Sequence, residues 1–222
     1  AEQLTVADPI TWTGLTDNGS TLTGATIGTT ARGQKYLDLL TANRLRFTTP
    51  TTYDYAGGFT MFLIFGKLQY TKSSDWKGIV EYSANSSMNY PSVDRILYQP
   101  GVTGGVAQPV NIAFQGDNDT VWDAYTGFET NTIGKLYVIA VRSTGTVNEY
   151  YYKDDVTTPS VTSSSSRIAS RPAFRYFAIN GSSQYTTVRN DRIHFNGMLM
   201  WNTQLSDERF KSLYRLLIEY TK

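Results

Sequence analysis

Near its C-terminus the chain reads Ile193-His194-Phe195-Asn196-Gly197-Met198-Leu199-Met200-Trp201, then, after three residues, Leu205-Ser206-Asp207-Glu208-Arg209-Phe210. The first segment has the periodicity of a strand. It predicts Ile193, Phe195, Leu199 and Trp201 on one face, with Gly197 marking a bulge or a close backbone approach. The second segment opens a helix. Ser206 can cap it, Asp207 and Glu208 put carboxylates where the helix dipole favours them, and Leu205 can staple onto Phe210. Phe210, Leu213, Leu217 and Tyr220 then recur at spacings of three, four and three, which makes one apolar stripe between Ser206 and Tyr220.

Upstream, short β-prone runs alternate with turn residues. Phe59 to Leu68 and Leu136 to Arg142 are apolar at both alternating sets of positions, as strands covered on both faces should be. Phe174 to Ile179, Val110 to Phe114 and Glu149 to Lys153 are further expected strands. Turn signals separate them: Asp17-Asn18-Gly19, Gly57-Gly58, Gly104-Gly105, Asp154-Asp155 and Asn180-Gly181. The serine run Ser163 to Ser166 reads as a loop. No repeat or composition shift divides the chain, so one domain over residues 1–222 is expected, an all-β antiparallel body closed by a C-terminal α-helix.

Composition removes whole classes of function. With 20 Lys+Arg against 19 Asp+Glu the net charge is +1, which argues against a nucleic-acid binder and a polybasic membrane-surface protein. The absence of cysteine excludes disulfides, thiolate metal sites and a cysteine nucleophile. A single histidine, His194, excludes multi-histidine metal sites. The longest apolar run, Met61 to Phe65, is of strand length, so no membrane-spanning helix and a soluble protein are expected. The opening Ala1-Glu2-Gln3 lacks the basic and apolar regions of a secretory leader, which predicts cytoplasmic synthesis without a signal peptide.

The order of these pieces resembles the concanavalin A-like lectin/laminin-G superfamily. Thr11-Trp12-Thr13, Asp17-Asn18-Gly19, Asn43-Arg44-Leu45-Arg46-Phe47 and Phe59-Thr60-Met61 are similar to its N-terminal half. Phe195-Asn196-Gly197-Met198-Leu199 with Leu205-Ser206-Asp207-Glu208 matches its tail, the most specific part. The resemblance covers Thr11 to Tyr220 and implies a two-sheet antiparallel jelly-roll sandwich. One departure is Tyr150-Tyr151-Tyr152-Lys153-Asp154-Asp155, which lacks the glycine that relatives often carry there and implies a different turn.

Catalysis finds no support. Glycanases of the superfamily carry a Glu-x-Asp-x-x-Glu strand that turns paired carboxylates into one cleft. None of Glu2, Glu81, Glu129, Glu149, Glu208 and Glu219 opens such a pattern. A Ser-His-Asp triad would need His194, which alternates out of the Ile193/Phe195 face and reads more plainly as a structural histidine. A non-enzyme is expected. The sequons at Asn18, Asn85, Asn118 and Asn180 are what chance supplies in a chain rich in Asn, Ser and Thr.

Binding has better candidates. Four Trp, sixteen Tyr and ten Phe are abundant for one sandwich, and sugar recognition needs rings to stack on pyranose faces beside Asp and Asn that bond hydroxyls. Trp122-Asp123-Ala124-Tyr125, Ser74-Asp75-Trp76-Lys77 and Tyr53-Asp54-Tyr55 combine the two, although such rings also simply fill strand faces. Trp122, Asp123 and Tyr125 on an irregular turn, with Trp76 and Asp75 as a second platform, form the expected site. Asp117 and Asp119 offer hard oxygen ligands that would suit calcium, or a plain solvated loop.

A signal-less, cysteine-free sandwich rich in Thr, Ser, Asn and Tyr is also similar in composition to bacteriophage appendage proteins, made in a reducing cytoplasm and durable outside it. The leading expectation is non-catalytic recognition of a surface glycan or host receptor by a lectin-like virion or tail-appendage domain. The alternative is a structural protein that decorates or joins an assembly, contacting other virion proteins through an aromatic patch. A virion or extracellular location follows from either, and a homo-oligomer is left open.

Overall fold

The computed structural model describes residues 26–39, 45–67, 77–86, 94–103, 106–115, 122–128, 135–145, 147–152, 159, 161–162, 172–180 and 193–222. Thirteen strands and one helix lie in them. In chain order the strands are β1 (Thr26–Thr29), β2 (Lys35–Leu39), β3 (Leu45–Tyr53), β4 (Phe59–Lys67), β5 (Lys77–Ser83), β6 (Asp94–Thr103) and β7 (Val106–Gln115). Then follow β8 (Trp122–Phe128), β9 (Leu136–Ser143), β10 (Asn148–Tyr151), β11 (Val161–Thr162), β12 (Phe174–Ile179), β13 (Ile193–Trp201) and the helix α1 (Asp207–Thr221).

The strands form a seven-stranded sheet, β1-β2-β13-β4-β9-β10-β11, and a six-stranded sheet, β3-β12-β5-β6-β7-β8, with antiparallel pairing between neighbours. Neighbours such as β13 and β4 are far apart in sequence, as the crossovers of a jelly-roll sandwich require.

Two apolar layers explain the strands that are apolar throughout. On β4, Phe59, Met61, Leu63 and Phe65 belong to the main core, while Phe62 and Ile64 belong to a second core with the helix. On β9, Ile139 and Val141 join the first layer, and Leu136, Val138 and Ala140 the second. Alternate residues of each strand therefore serve different layers, and both sets are largely apolar, with Thr60 and Arg142 buried polar exceptions that bond Leu205 and Asp207.

The helix covers the outer face of the seven-stranded sheet. The Ser206 hydroxyl accepts from the Arg209 N–H at 3.4 Å, and Leu205 and Phe210 are both buried in the helix layer, the arrangement of cap and staple expected from sequence. Phe210 stacks on Phe62 at 5.2 Å and lies 4.5 Å from the Tyr151 ring. The buried residues are Phe210, Tyr214, Leu217 and Ile218, with Leu213 and Tyr220 half-buried beside them. The stripe is wider than the sequence reading because a helix lying on a flat sheet buries both i+3 and i+4 neighbours.

β13 departs from expectation in phase. Its register against β4 shifts between Phe195 and Gly197, so the bulge expected near Gly197 is present. The extra residue flips the alternation beyond it. Ile193 and Phe195 lie in the main core and Met198 and Met200 pack against it, whereas Leu199 and Trp201 pack in the helix layer. The four residues expected on one face are divided between two. Asn196, at the bulge, donates to the Lys35 carbonyl and to the Tyr220 hydroxyl, which ties the end of α1 to β2.

Candidate functional site

Three sets of polar groups stand out among the described residues. Under the first turn of α1, the Arg142 guanidinium pairs with Glu149 at 2.6 Å and Asp207 at 2.5 Å and lies 5.0 Å from the Phe210 ring centre. Tyr151 donates to the same Glu149 carboxylate at 3.2 Å. Burial, and then the Glu149 charge, push its phenol up to about 12. Hydrogen bonding and charge from Arg142 hold the Asp207 carboxyl below its ordinary value. These groups satisfy one another and anchor the helix.

The second set contains His194, on the same outer sheet face. Its ring stacks on Tyr36 at 3.8 Å, and Nε2 lies 3.8 Å from the Asp38 carboxylate. Glycines make room for the stack. A Cβ at Gly28 would fall 2.2 Å from the Tyr36 ring, and one at Gly66 3.3 Å from the His194 Cβ. Imidazole and carboxylate are both buried and fill a structural layer at the sheet's β1 side.

The third set crosses the other sheet. Cα partners run Arg46 on β3, Ala178 on β12, Glu81 on β5, Arg95 on β6, Gln115 on β7 and Trp122 on β8, one unbroken line over six strands. Glu81 and Ala178 lie on the face away from the main core. Glu81 sits between the core residues Val80 and Tyr82, Ala178 between Phe177 and Ile179, and Arg46 beside Leu45. Glu81 is 0% exposed, a carboxyl buried outside the apolar core. Such a group demands an ionic or hydrogen-bonding environment, and its Cα partners on the line are Ala178 on one side and Arg95 on the other. On the next row Tyr176 pairs with Thr48 and Ser83 and packs on Ala178, and the exposed Arg175 guanidinium lies 5.4 Å from the Tyr176 ring centre.

Part of the expected site lies in the described residues. Trp122, Asp123 and Tyr125 lie in β8, a strand rather than an irregular turn, where successive residues alternate between faces. Trp122 pairs with Gln115, Asp123 with Phe114 and Tyr125 with Ile112; the Asp123–Phe114 row continues to the core residue Ile96, and the Tyr125–Ile112 row to Tyr98. Tyr53 and Tyr55 are core residues, and Asp54 accepts from the Ala56 N–H at 3.0 Å, a turn contact. Asp75, Trp76, Asp117 and Asp119 lie outside the described residues. Among the described residues no three acidic or histidine side chains group as a metal site would require. Asn180 of the last sequon is fully buried with its N–H bonded to the Ile79 carbonyl, which suits a structural role.

Arg46, Glu81, Arg95, Gln115 and Tyr176 were not singled out by sequence. A lone glutamate in the apolar run Ile79-Val80-Glu81-Tyr82 is the one local signal that could have drawn attention to the line.

No family model matches the chain, and no curated protein matches it. Solved structures do resemble it. The receptor binding domain of the botulinum neurotoxin C/D mosaic serotype superposes with a TM-score of 0.58 and 9% identity, over 87% of this chain and 45% of that one. Trypanosoma rangeli sialidase, in complex with a difluorinated keto-deoxy-nononic acid, gives 0.58 and 11% over 87% of this chain and 29% of the other. A family 7 alginate lyase in complex with substrate gives 0.53 and 15% over 81% and 82%. This chain spans less than half the length of the first two. At these identities the likeness is one of fold: a two-sheet jelly-roll sandwich, shared by binding domains and enzymes alike.

Proposed function

We propose that the chain is a non-catalytic lectin-like unit that recognises a surface glycan at the β8 edge of its six-stranded sheet, with Trp122 as the stacking ring. The observation that carries this is the place of β8, which bears Trp122, Asp123 and Tyr125, at the edge of the six-stranded sheet, away from the sheet that α1 covers. The opposite outer face is occupied by α1. Similarity to a receptor binding domain and to two carbohydrate-active proteins solved with bound ligands supports the choice of ligand class. The lack of a paired-carboxylate strand motif supports binding without turnover.

Asp75 with Trp76 is proposed as a second platform, and Asp117 with Asp119 as the place where calcium would act. A virion or tail appendage is the proposed setting, on the strength of the cysteine-free composition. A glycan array followed by titration of the wild type and Trp122→Ala tests the reading. Loss of the indole should weaken binding by about 1–3 kcal/mol, roughly five- to a hundredfold. A folded wild type that binds no glycan on the array overturns it and points to the assembly-joining role.

A further inference from the structure

We infer that the outward face of α1 is a self-association surface, on which two copies of the chain pair their helices antiparallel. Phe210, Tyr214, Leu217 and Ile218 turn towards the sheet, so the opposite face of the helix carries Arg209, Ser212, Leu216 and Glu219. These four recur at spacings of three, four and three, which sets them in one stripe along the helix. All are exposed, and Leu216, at 64%, is the one large hydrophobic residue left open among the described residues. Glu208 and Arg215 border the stripe on one side, and the half-buried Leu213 and Tyr220 on the other.

The stripe is complementary to itself when one copy is reversed. Arg209 and Glu219 stand five positions to either side of Tyr214, and Ser212 and Leu216 two positions. A two-fold axis at the level of Tyr214 therefore sets the Arg209 guanidinium of each copy against the Glu219 carboxylate of the other. The two pairs fall at the ends of the contact, about 7.5 Å along the helix from the axis. Each Leu216 meets the Ser212 of the other copy, a small residue that leaves room for the leucine. Among the described residues Arg209 has no carboxylate partner. Glu219 holds Lys222 at 2.9 Å, an exposed pair that costs little to exchange. Opposite charges at equal distances from one centre favour a second copy over an unrelated partner, because an isologous contact must match every residue with its counterpart. A contact limited to one helix stays below the roughly 1,000 Å² of a standing dimer, so the association is weak and depends on concentration. Because α1 covers the seven-stranded sheet, pairing through it turns both six-stranded sheets, with their β8 edges, to the outside.

Sedimentation equilibrium of the full chain, carried to about 1 mM at low salt, should show a reversible monomer–dimer equilibrium. Leu216→Ser should weaken the dimer about fivefold or more while the melting temperature at high dilution stays unchanged. Arg209→Glu and Glu219→Arg should each weaken it about tenfold, since each sets like charges together at both ends. The double reversal Arg209→Glu/Glu219→Arg should return to within about threefold of the wild type. A chain that is monomeric throughout overturns the inference and leaves the stripe to a partner of another sequence. A dimer indifferent to Leu216→Ser and to both single reversals overturns it too, by placing the contact elsewhere on the molecule. Single reversals that weaken the dimer without recovery in the double variant overturn the antiparallel pairing and the inference with it.

Discussion

The Arg142 guanidinium, on β9, stands 2.5 Å from the Asp207 carboxylate in the first turn of α1. The two differ sharply in environment: the arginine side chain is 5% exposed and the aspartate 67%. Their removal should therefore have unequal effects. Arg142→Ala strips Glu149 of its partner at 17% exposure and removes the contact with the Phe210 ring, so we predict a loss of about 3 kcal/mol. Asp207→Ala leaves Arg142 paired with Glu149 and forfeits mainly the dipole interaction, on the order of 0.3–1 kcal/mol. Chemical denaturation of both variants decides the ranking, and equal losses would refute it.

The same network predicts how stability changes with pH at both extremes. Tyr151 ionises near 10.0 when unfolded but keeps its proton to about 12 when folded. Its contribution is complete below pH 10 and is lost as the pH rises through about 12. Asp207 acts in the opposite sense. Its carboxyl is held below the ordinary value, so its contribution is present above that value and fades on acidification. Melting temperatures across pH should show both limbs. Tyr151→Phe should flatten the alkaline limb and Asp207→Asn the acidic one.

Glycines 145 and 197 make a paired test of backbone strain. Gly145 has φ +84, and a Cβ there would meet the Ala56 carbonyl oxygen at 2.7 Å. Gly197, in the β13 bulge, has nothing within 4 Å of a built Cβ. Gly145→Ala should therefore destabilise by more than about 1 kcal/mol, whereas Gly197→Ala should be neutral or stabilise by roughly 0.4–1 kcal/mol. Thermal melts that rank the two in the reverse order would contradict these conformations.

Local signals in the chain were enough for much of the fold. The doubly apolar runs of β4 and β9 announce strands enclosed on both sides, and Leu205, Ser206 and Phe210 announce the start of α1, because each pattern is complete within a few residues. The fate of Leu199 and Trp201 was not legible. One extra residue at the bulge reverses their face, and nothing nearby in sequence fixes its phase. The line through Arg46, Glu81 and Trp122 was hidden for a larger reason. It exists only once six strands, drawn from across the chain, are set in register, with shifts at Gly78/Val80 and Val110/Ile112.

That register yields the sharpest test of the candidate site. Trp122 and Tyr125 are three residues apart on β8, so one pairs with Gln115 and the other with Ile112, and Tyr125 shares its strand parity with Asp123, whose row through Phe114 runs on to the core residue Ile96. Tyr125→Ala should consequently lower stability by ~3 kcal/mol, in the manner of an aromatic removed from a core. Trp122→Ala, on the outer line of an edge strand, should leave the melting temperature nearly unchanged and weaken glycan binding instead. A one-residue slip of β8 against β7 would exchange these phenotypes completely, since it moves every side chain to the other face. Melting curves and glycan titrations of the two variants side by side therefore test the pairing and the site together. A destabilised Trp122→Ala beside a thermally silent Tyr125→Ala would overturn the register, and with it the assignment of Trp122 to the binding face.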